Sequence, residues 1–297
     1  DELAPLRNRF YAGSHQQVIA EATNPATVPR SDTAKLERRI LLHRAYLAQG
    51  RFALVLTETG TGPTEPAEIR AVRALARVAA ARAAADWEAG HRAVEEARPL
   101  LEEGGHVVQV LVGTAMCLDG DYEGALGAVV RSPRNLECVA LATQIYLKLD
   151  RPDLARKEVE KLKTWADDAS LAQLIEAWVN SYSGGEAKYQ ESFYIFEELA
   201  SSLAPTSRLL TSEAVCRMQT LKFAEAEQLL LTALNQNPND PEALANLVIC
   251  SKALGKPDDV ASLYMNQLKD ASPAHIFVQE LDLKSSLFDR CAQRWGV

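Results

Sequence analysis

The sequence predicts an all-α fold, an α-α superhelix built from roughly eight helix pairs along its 297 residues. Three observations support this prediction. A pattern near the C-terminal end recurs after 34 residues. Ala and Leu, which both favour helix, dominate the composition. No long alternating run of Val, Ile and Thr indicates a strand.

The recurring pattern is clearest when Ala226 is aligned with Val260. A proline follows each copy, Pro238 after the first and Pro273 after the second. Two antiparallel helices, a small residue where they cross and a proline at the exit are typical of the tetratricopeptide repeat. Because one such pair cannot bury its apolar face alone, stacked copies form a solenoid with a concave binding surface. The sequence therefore predicts a binding or scaffold protein.

Earlier parts of the chain repeat the pattern with irregular spacing. Ala125 and Ala155 occupy the small-residue position 30 residues apart, and Ser192 follows 37 residues later. Gly13 and Gly50 indicate two turns between helices still earlier, where glycine supplies a left-handed backbone angle. We expect one array over residues 1–297, with 60–135 as its most divergent part.

The charge of the chain argues against nucleic acid as a partner. The formal net charge is −8, whereas a phosphate-backbone binder usually carries a basic surplus. One basic stripe exists, comprising Arg70, Arg73, Arg77 and Arg82, with Arg92 and Arg98 beyond. The spacing places most of the first group along one side of a helix. We interpret it as a solvated helix face, with a patch for an acidic partner or a membrane as the alternative.

The cysteines indicate a reducing compartment, and the apolar runs indicate no membrane span. The five cysteines are scattered and form no Cys-x-x-Cys pair: Cys117, Cys138, Cys216, Cys250 and Cys291. Free thiols, most of them buried, are expected rather than a disulfide framework or a zinc site. No secretory leader is recognisable, although a chain that begins at Asp1 without Met does not strictly exclude one. The most apolar run, 107–118, is too short to span a membrane.

No catalytic or cofactor motif stands out, so we expect no enzyme, no cofactor and no small-molecule substrate. The segment 59–66 lacks the Gly-Lys-Ser/Thr ending of a phosphate loop and contains Pro63, which indicates a linker between helices. The four tryptophans lie in predicted helices, where we expect core or seam positions rather than a ligand cage. They are Trp87, Trp165, Trp178 and Trp295.

Two Glu-x-x-His pairs have the spacing of ligands in a di-metal site. Paired motifs of this kind on facing helices hold carboxylate-bridged metals. They are Glu88 with His91 and Glu103 with His106. However, Gly104-Gly105 is expected to break the helix within the second pair, so that His106 begins the next helix. A metal site is therefore not predicted.

Several longer strings resemble the coatomer epsilon-subunit family. They include RFYAGSHQQVIAEA at 9–22, HRAYLAQGRF at 43–52, QIYLKLDRPDLARKE at 144–158 and SFYIFEEL at 192–199. A generic repeat would keep its Ala, Gly and Pro positions but not these exposed strings. The resemblance is collinear over essentially the whole chain and weakest in 60–135.

The resemblance implies a structural subunit of the heptameric coatomer of COPI vesicles. It would bind the C-terminal region of the alpha subunit and support Golgi-to-ER and intra-Golgi transport. It would be cytoplasmic, attached peripherally to Golgi membranes and vesicles through the coat. The family offers no catalytic residue and no cofactor. The alternative is a tetratricopeptide adaptor or co-chaperone, which would need a clamp of Lys, Arg and Asn. Lys148, Lys252 and Arg217 are too few and too scattered for that.

The first helix of each repeat is expected to line the concave face. The residues predicted to contact the alpha subunit are Val110, Thr114, Gln144, Leu147, Lys148, Val215, Met218, Gln219, Ile249 and Lys252. The alternative for Leu147, Val215 and Ile249 is packing between neighbouring helices, and the sequence leaves it open.

Overall fold

The computed structural model describes residues 2–60, 62 and 64–296, and every regular element within them is a helix. Thr61 and Pro63 of the expected 59–66 linker lie outside the described residues. The chain divides into two compact units, one ending at Ser183 and one beginning at Gly184. The all-α prediction is confirmed. The prediction of one array over 1–297 stays a prediction, and each unit is described by itself.

The first unit contains twelve α-helices and a short 3-10 helix at Pro25–Thr27. The α-helices are α1 (Ala4–Ala12), α2 (His15–Thr23), α3 (Asp32–Ala48), α4 (Phe52–Glu58), α5 (Ala67–Ala83), α6 (Trp87–Ala97), α7 (Leu100–Glu103), α8 (His106–Asp119), α9 (Tyr122–Val129), α10 (Leu136–Lys148), α11 (Pro152–Ala166) and α12 (Ser170–Ser183).

The second unit contains six helices. They are α13 (Glu186–Leu203), α14 (Ser207–Gln219), α15 (Phe223–Gln236), α16 (Pro241–Ala253), α17 (Asp258–Ala271) and α18 (Ile276–Trp295). Within the first unit, α1–α2, α3–α4, α5–α6, α8–α9 and α10–α11 pack as successive pairs, and within the second unit α14–α15 and α16–α17 do so.

The turns between the two helices of a pair share one backbone conformation. Each has a residue at positive φ, in the order Gly13, Gly50, Ala85, Gly120, Asp150, Leu221 and Gly255. This confirms the turn glycines at Gly13 and Gly50. It also shows that three other turns place a side chain in the left-handed region, where only glycine is unstrained.

Small residues lie where the helices of a pair cross. Ala125, Ala155 and Ala226 are fully buried, as the repeat pattern predicts. In the last pair the buried small residue is Ala261 and not Val260, which is half-buried. The reason is local: α17 begins one residue later after its turn than α15 does, so the second helices are offset by 35 residues.

The first helices of the first unit form a closed row. Each of α1, α3, α5, α8, α10 and α12 packs against the next, and α1 also packs against α12. The core of this unit is accordingly dense in small side chains. In α5, Ala71, Ala74 and Ala76 are all buried.

Candidate partner-binding surface

The second unit carries an apolar row on its first helices. Val215 of α14, Ile249 of α16 and Leu283 of α18 each lie 34 residues after the previous one. Val215 is half-buried, whereas Ile249 is 42% exposed and Leu283 is 57% exposed. Ser207 Oγ donates to Asp240 Oδ2 at 2.6 Å, and His275 Nε2 lies 3.3 Å from Glu242 Oε1. These contacts join the starts of successive first helices.

The other predicted contacts of this unit differ in their access to solvent. Gln219 and Lys252 are exposed, and Lys252 Nζ pairs with Asp258 Oδ1 at 2.5 Å. Met218 is a core residue, packed with Leu210, Leu230 and other apolar side chains between α14 and α15. It therefore offers little surface to a partner, and its role as a contact stays a prediction.

In the first unit, α10 carries an exposed polar edge. Gln144 and Lys148 are exposed, and Leu147 is half-buried between them. Thr114 of α8 is half-buried and donates its hydroxyl to the Val110 carbonyl at 2.7 Å. Val110 itself is buried against Val129, so it also belongs to the core. Like that of Met218, its role as a contact stays a prediction, with little surface to support it.

A buried ion pair holds α10 against the start of the chain. Arg44 Nη1 donates to Glu137 Oε1 at 2.8 Å, and Tyr11 Oη donates to the same oxygen at 2.9 Å. Burial opposes the charge of Glu137, but Arg44 and the two hydrogen bonds outweigh it, so the pKa of this carboxyl lies below its usual value. Burial and the nearby Glu137 raise the pKa of Tyr11. The sequence offered no signal for this contact.

Most arginines of the stripe form ion pairs or hydrogen bonds within the first unit. Arg70 pairs with Glu103, Arg77 Nη1 with Glu96 at 2.5 Å, Arg82 Nη2 with Asp119 at 2.6 Å and Arg98 Nη2 with Asp121 at 2.6 Å. Arg73 donates to the carbonyls of Leu56 and Thr59. These side chains tie α5 and α6 to neighbouring segments. The stripe is therefore neither a simple solvated face nor a free basic patch.

The helix break predicted within the second Glu-x-x-His pair, at Gly104-Gly105, is confirmed. Helix α7 ends at Glu103, and His106 begins α8. Among residues 2–60, 62 and 64–296 no cluster of metal-ligating side chains is found. Cys138, Cys216 and Cys250 are buried free thiols, whereas Cys291 is exposed.

Three of the four tryptophans, which were predicted at core or seam positions, are not core residues. Trp87 is 64% exposed, Trp165 38% and Trp295 82%. Trp87 lies at the start of α6 and stacks on the Arg82 guanidinium, 3.9 Å from the ring centre. Trp295 lies near the end of α18, where no other helix packs against it in the described part of the chain.

The peptide-carboxylate clamp of a co-chaperone is not assembled in the second unit. Arg217 stacks on the Phe193 ring at 3.6 Å, and its Nε lies 3.1 Å from Glu225. A guanidinium engaged in this way is not free to bind a peptide terminus.

Within the described ranges, no helix combines the length and apolar character that a bilayer span requires.

Comparison with known proteins identifies the family. The model of the family described as coatomer epsilon subunit matches residues 1–296. Coatomer subunit epsilon-2 of Oryza sativa subsp. japonica is 38% identical over 295 residues, covering 99% of this chain and 97% of the relative. Coatomer subunit epsilon-1 of Arabidopsis thaliana is 35% identical over 301 residues, covering 100% and 98%.

A more distant relative matches over nearly the full length, and two solved structures superpose on the chain. Coatomer subunit epsilon of Dictyostelium discoideum is 32% identical over 303 residues, covering 100% of this chain and 99% of the relative. A tetratricopeptide repeat protein from Parabacteroides merdae superposes with a TM-score of 0.58 at 15% identity, covering 90% of this chain and 97% of its own. The APC/C hetero-tetramer Cut9–Hcn1 contains a chain that superposes with a TM-score of 0.64 at 12% identity, covering 94% and 54%.

At such low identity these two structures show the fold alone, which is the predicted tetratricopeptide-repeat superhelix. The sequence matches carry the assignment further, because they run over nearly the full length of both chains. The chain belongs to the coatomer epsilon-subunit family, whose members are structural subunits of the COPI coat and not enzymes.

Proposed function

We propose that this chain acts in the COPI coat by holding the C-terminal region of the alpha subunit. Through the coat it would lie peripherally on the cytosolic face of Golgi membranes and vesicles. It would there support Golgi-to-ER and intra-Golgi transport. The observation that carries the proposal is the apolar row Val215, Ile249 and Leu283, which repeats at one position of successive first helices.

The row has the chemistry of a protein-binding surface. Apolar side chains lie along its centre, and exposed polar groups flank it, among them Gln219 and Lys252. Interfaces are commonly built this way, with apolar anchors inside a polar rim. Exposed apolar groups aligned at the repeat period suit an elongated segment of a partner better than a small molecule.

The edge of α10 in the first unit supplies a second, more polar contact. Gln144 and Lys148 are exposed there, and Thr114 on α8 is half-buried. We propose these residues, together with Leu147, as a separate binding region for the same partner. Polar groups of this kind improve specificity more than affinity.

The test is binding of the C-terminal third of the alpha subunit to the full chain, measured by co-purification and light scattering. We expect a 1:1 complex. Ile249→Glu should weaken it by about tenfold or more, because a charge would be buried opposite an apolar anchor. The matched control is Leu231→Glu on α15, since Leu231 is 40% exposed and Ile249 is 42% exposed.

Two results would contradict the proposal. Separate peaks at micromolar concentration for the wild-type chain would remove the alpha subunit as partner and favour a peptide-binding adaptor. A complex that Ile249→Glu and Leu231→Glu affect equally would keep the partner but move it away from the apolar row.

A further inference from the structure

Helix α18 departs from the repeat that precedes it. In the two previous pairs the chain leaves the first helix at a residue with positive φ, Leu221 and then Gly255. The residue 34 positions later is Asp289, which lies inside α18. The chain therefore continues as a helix where earlier repeats turn back. Helix α18 has 20 residues, whereas α14 and α16 have 13 each.

This helix is largely without a packing partner. Val278 is its one buried residue among those described. Val278 contacts the cluster around Leu244 and Leu268, and beyond it the helix runs almost entirely in solvent. Most helical stability in proteins comes from the packing of an apolar face, so the exposed apolar side chains of α18 call for a partner surface.

The side chains of α18 form a seam with the spacing of a coiled coil; its first member, Phe277, is partly buried against the cluster around Leu244 and Leu268, and its other members are exposed. Six positions recur at alternating intervals of four and three residues: Phe277, Leu281, Lys284, Phe288, Cys291 and Trp295. Five of the six are apolar. Phe288 is 72% exposed and Trp295 is 82% exposed. A seam of this kind accepts another helix rather than a small ligand.

The charges beside the seam select the partner. Glu280, Leu287 and Arg294 lie seven residues apart along one edge of the seam. In an antiparallel pair of identical helices, this edge meets the same edge of the second copy. Glu280 would then oppose Arg294 of the other copy at both ends, with Leu287 opposite Leu287 on the two-fold axis. A parallel pair gains no such ion pairs, because the other edge carries Val278, Ser285 and Ala292.

The charged groups required for this pairing, Glu280 and Arg294, are not fully engaged by other groups of the single chain. Lys284 Nζ donates to one carboxylate oxygen of Glu280 at 2.7 Å, and the other oxygen has no partner among the described residues. Arg294 has no ion pair within the same residues. Asp282, on the far side of α18, is occupied by Lys269 at 3.1 Å.

We propose that α18 is a self-association helix, through which two copies of this chain pair antiparallel along the seam. The contact is small, three heptads at most, so the dimer forms with the weak affinity typical of transient interfaces. Leu283 projects to a different side of α18 from the seam, because it lies about 120° from the seam centre at 100° per residue. A copy bound through the seam therefore leaves the apolar row accessible, and the inference does not depend on the alpha subunit.

The test is the concentration dependence of molecular mass for the full chain alone, by light scattering or sedimentation. We expect a monomer–dimer equilibrium. Glu280→Arg and Arg294→Glu should each raise the dissociation constant roughly tenfold, since each places like charges opposite at both ends. The double variant with both reversals should restore pairing. The matched control is Asp289→Arg, which makes the same charge change on the opposite side of the helix.

The direction of pairing is tested by cross-linking. In an antiparallel pair Cys291 opposes Leu281 of the other copy, so Leu281→Cys should yield covalent dimers with a short bis-maleimide. The wild-type chain should not, since its two Cys291 thiols lie about 15 Å apart along the pair. A monomer at every concentration, a dimer indifferent to Phe288→Glu, or a double reversal no better than the single variants would overturn the proposal. So would a wild-type chain that cross-links through Cys291.

Discussion

Arg44 Nη1 donates to both carboxylate oxygens of Glu137, at 2.8 and 3.0 Å, across 93 residues of sequence. The pair joins α3 to α10, and Tyr11 brings α1 to the same carboxylate. With the packing of α1 against α12, it closes the row of first helices in the first unit. Closure of the first unit therefore depends on residues that are distant in sequence and that no local sequence pattern links.

Removing the cation should destabilise the first unit. In Arg44→Met the carboxylate of Glu137 keeps only Tyr11 and stays buried, so we expect the free energy of unfolding to fall by about 3 kcal/mol. Urea denaturation measures the loss, and hydrogen exchange of α1 and α10 locates it. Arg151→Met is the control, because Arg151 and Asp153 form an exposed pair whose loss should change stability far less. Equal effects of the two substitutions would refute the role of Glu137.

Glu213 should make the second unit less stable as pH rises. Burial, and then the charge of Glu197, raise the pKa of this carboxyl to about 7, while Arg217 opposes them. Because the folded pKa exceeds the unfolded value, the protonated group favours folding at low pH, and this contribution is lost as pH rises through about 7. Its Oε1 is also buried without a hydrogen-bond partner.

Glu213→Gln removes that charge while keeping the shape of the side chain. We expect the variant to be more stable than wild type by on the order of 2 kcal/mol at pH 8, with the advantage disappearing near pH 5. Thermal or urea unfolding at several pH values gives the difference curve, in which the titration of all other groups cancels. A pH-independent difference would mean that Glu213 is already ionised in the folded chain.

Leu221 is expected to cost stability at its turn. Its φ is 60°, and its side chain is 77% exposed, so it gains no packing in return for the strained backbone. The equivalent turn residue 34 positions later is Gly255, at φ 67°. Leu221→Gly should therefore stabilise the chain by about 1 kcal/mol, and Gly255→Leu should destabilise it by a similar amount. A shift of both melting temperatures in the same direction would contradict this account.

The crossing of α14 and α15 should not accept a larger residue at Ala226. This methyl group is fully buried between the two helices. We expect Ala226→Leu to lower the free energy of unfolding by roughly 1–3 kcal/mol through overpacking. Ala224→Leu adds the same side chain to an exposed position two residues earlier and should be nearly neutral. Chemical denaturation measures the free energy of unfolding of both variants. Equal values would mean that the crossing at Ala226 tolerates a larger side chain.

Much of the fold follows from local rules. The small residues Ala125, Ala155 and Ala226 are buried where the pattern places them, because only a methyl group fits between helices at the crossing. The turn at Gly120 adopts the left-handed angle that glycine allows. Resemblance over the whole chain also predicted the family that the comparisons show.

The surface was harder to predict, because helical spacing does not reveal what covers a helix. Val110 and Met218 occupy first helices as expected, yet neighbouring helices bury them. Trp295 was expected at a core or seam position, and its side chain is 82% exposed near the end of α18. Leu283, the exposed continuation of the apolar row, was missed although the 34-residue period from Ile249 points to it.

By itself, then, the sequence determined the helical class, the glycine turns and most of the repeat register, since these depend on backbone preferences and on residues a few positions apart. Tertiary structure alone decided that Arg44 meets Glu137, that the first unit closes on itself, and that the arginines of α5 are paired. Those contacts join segments distant in sequence. Their energies depend on burial and direction, which spacing along the chain does not encode.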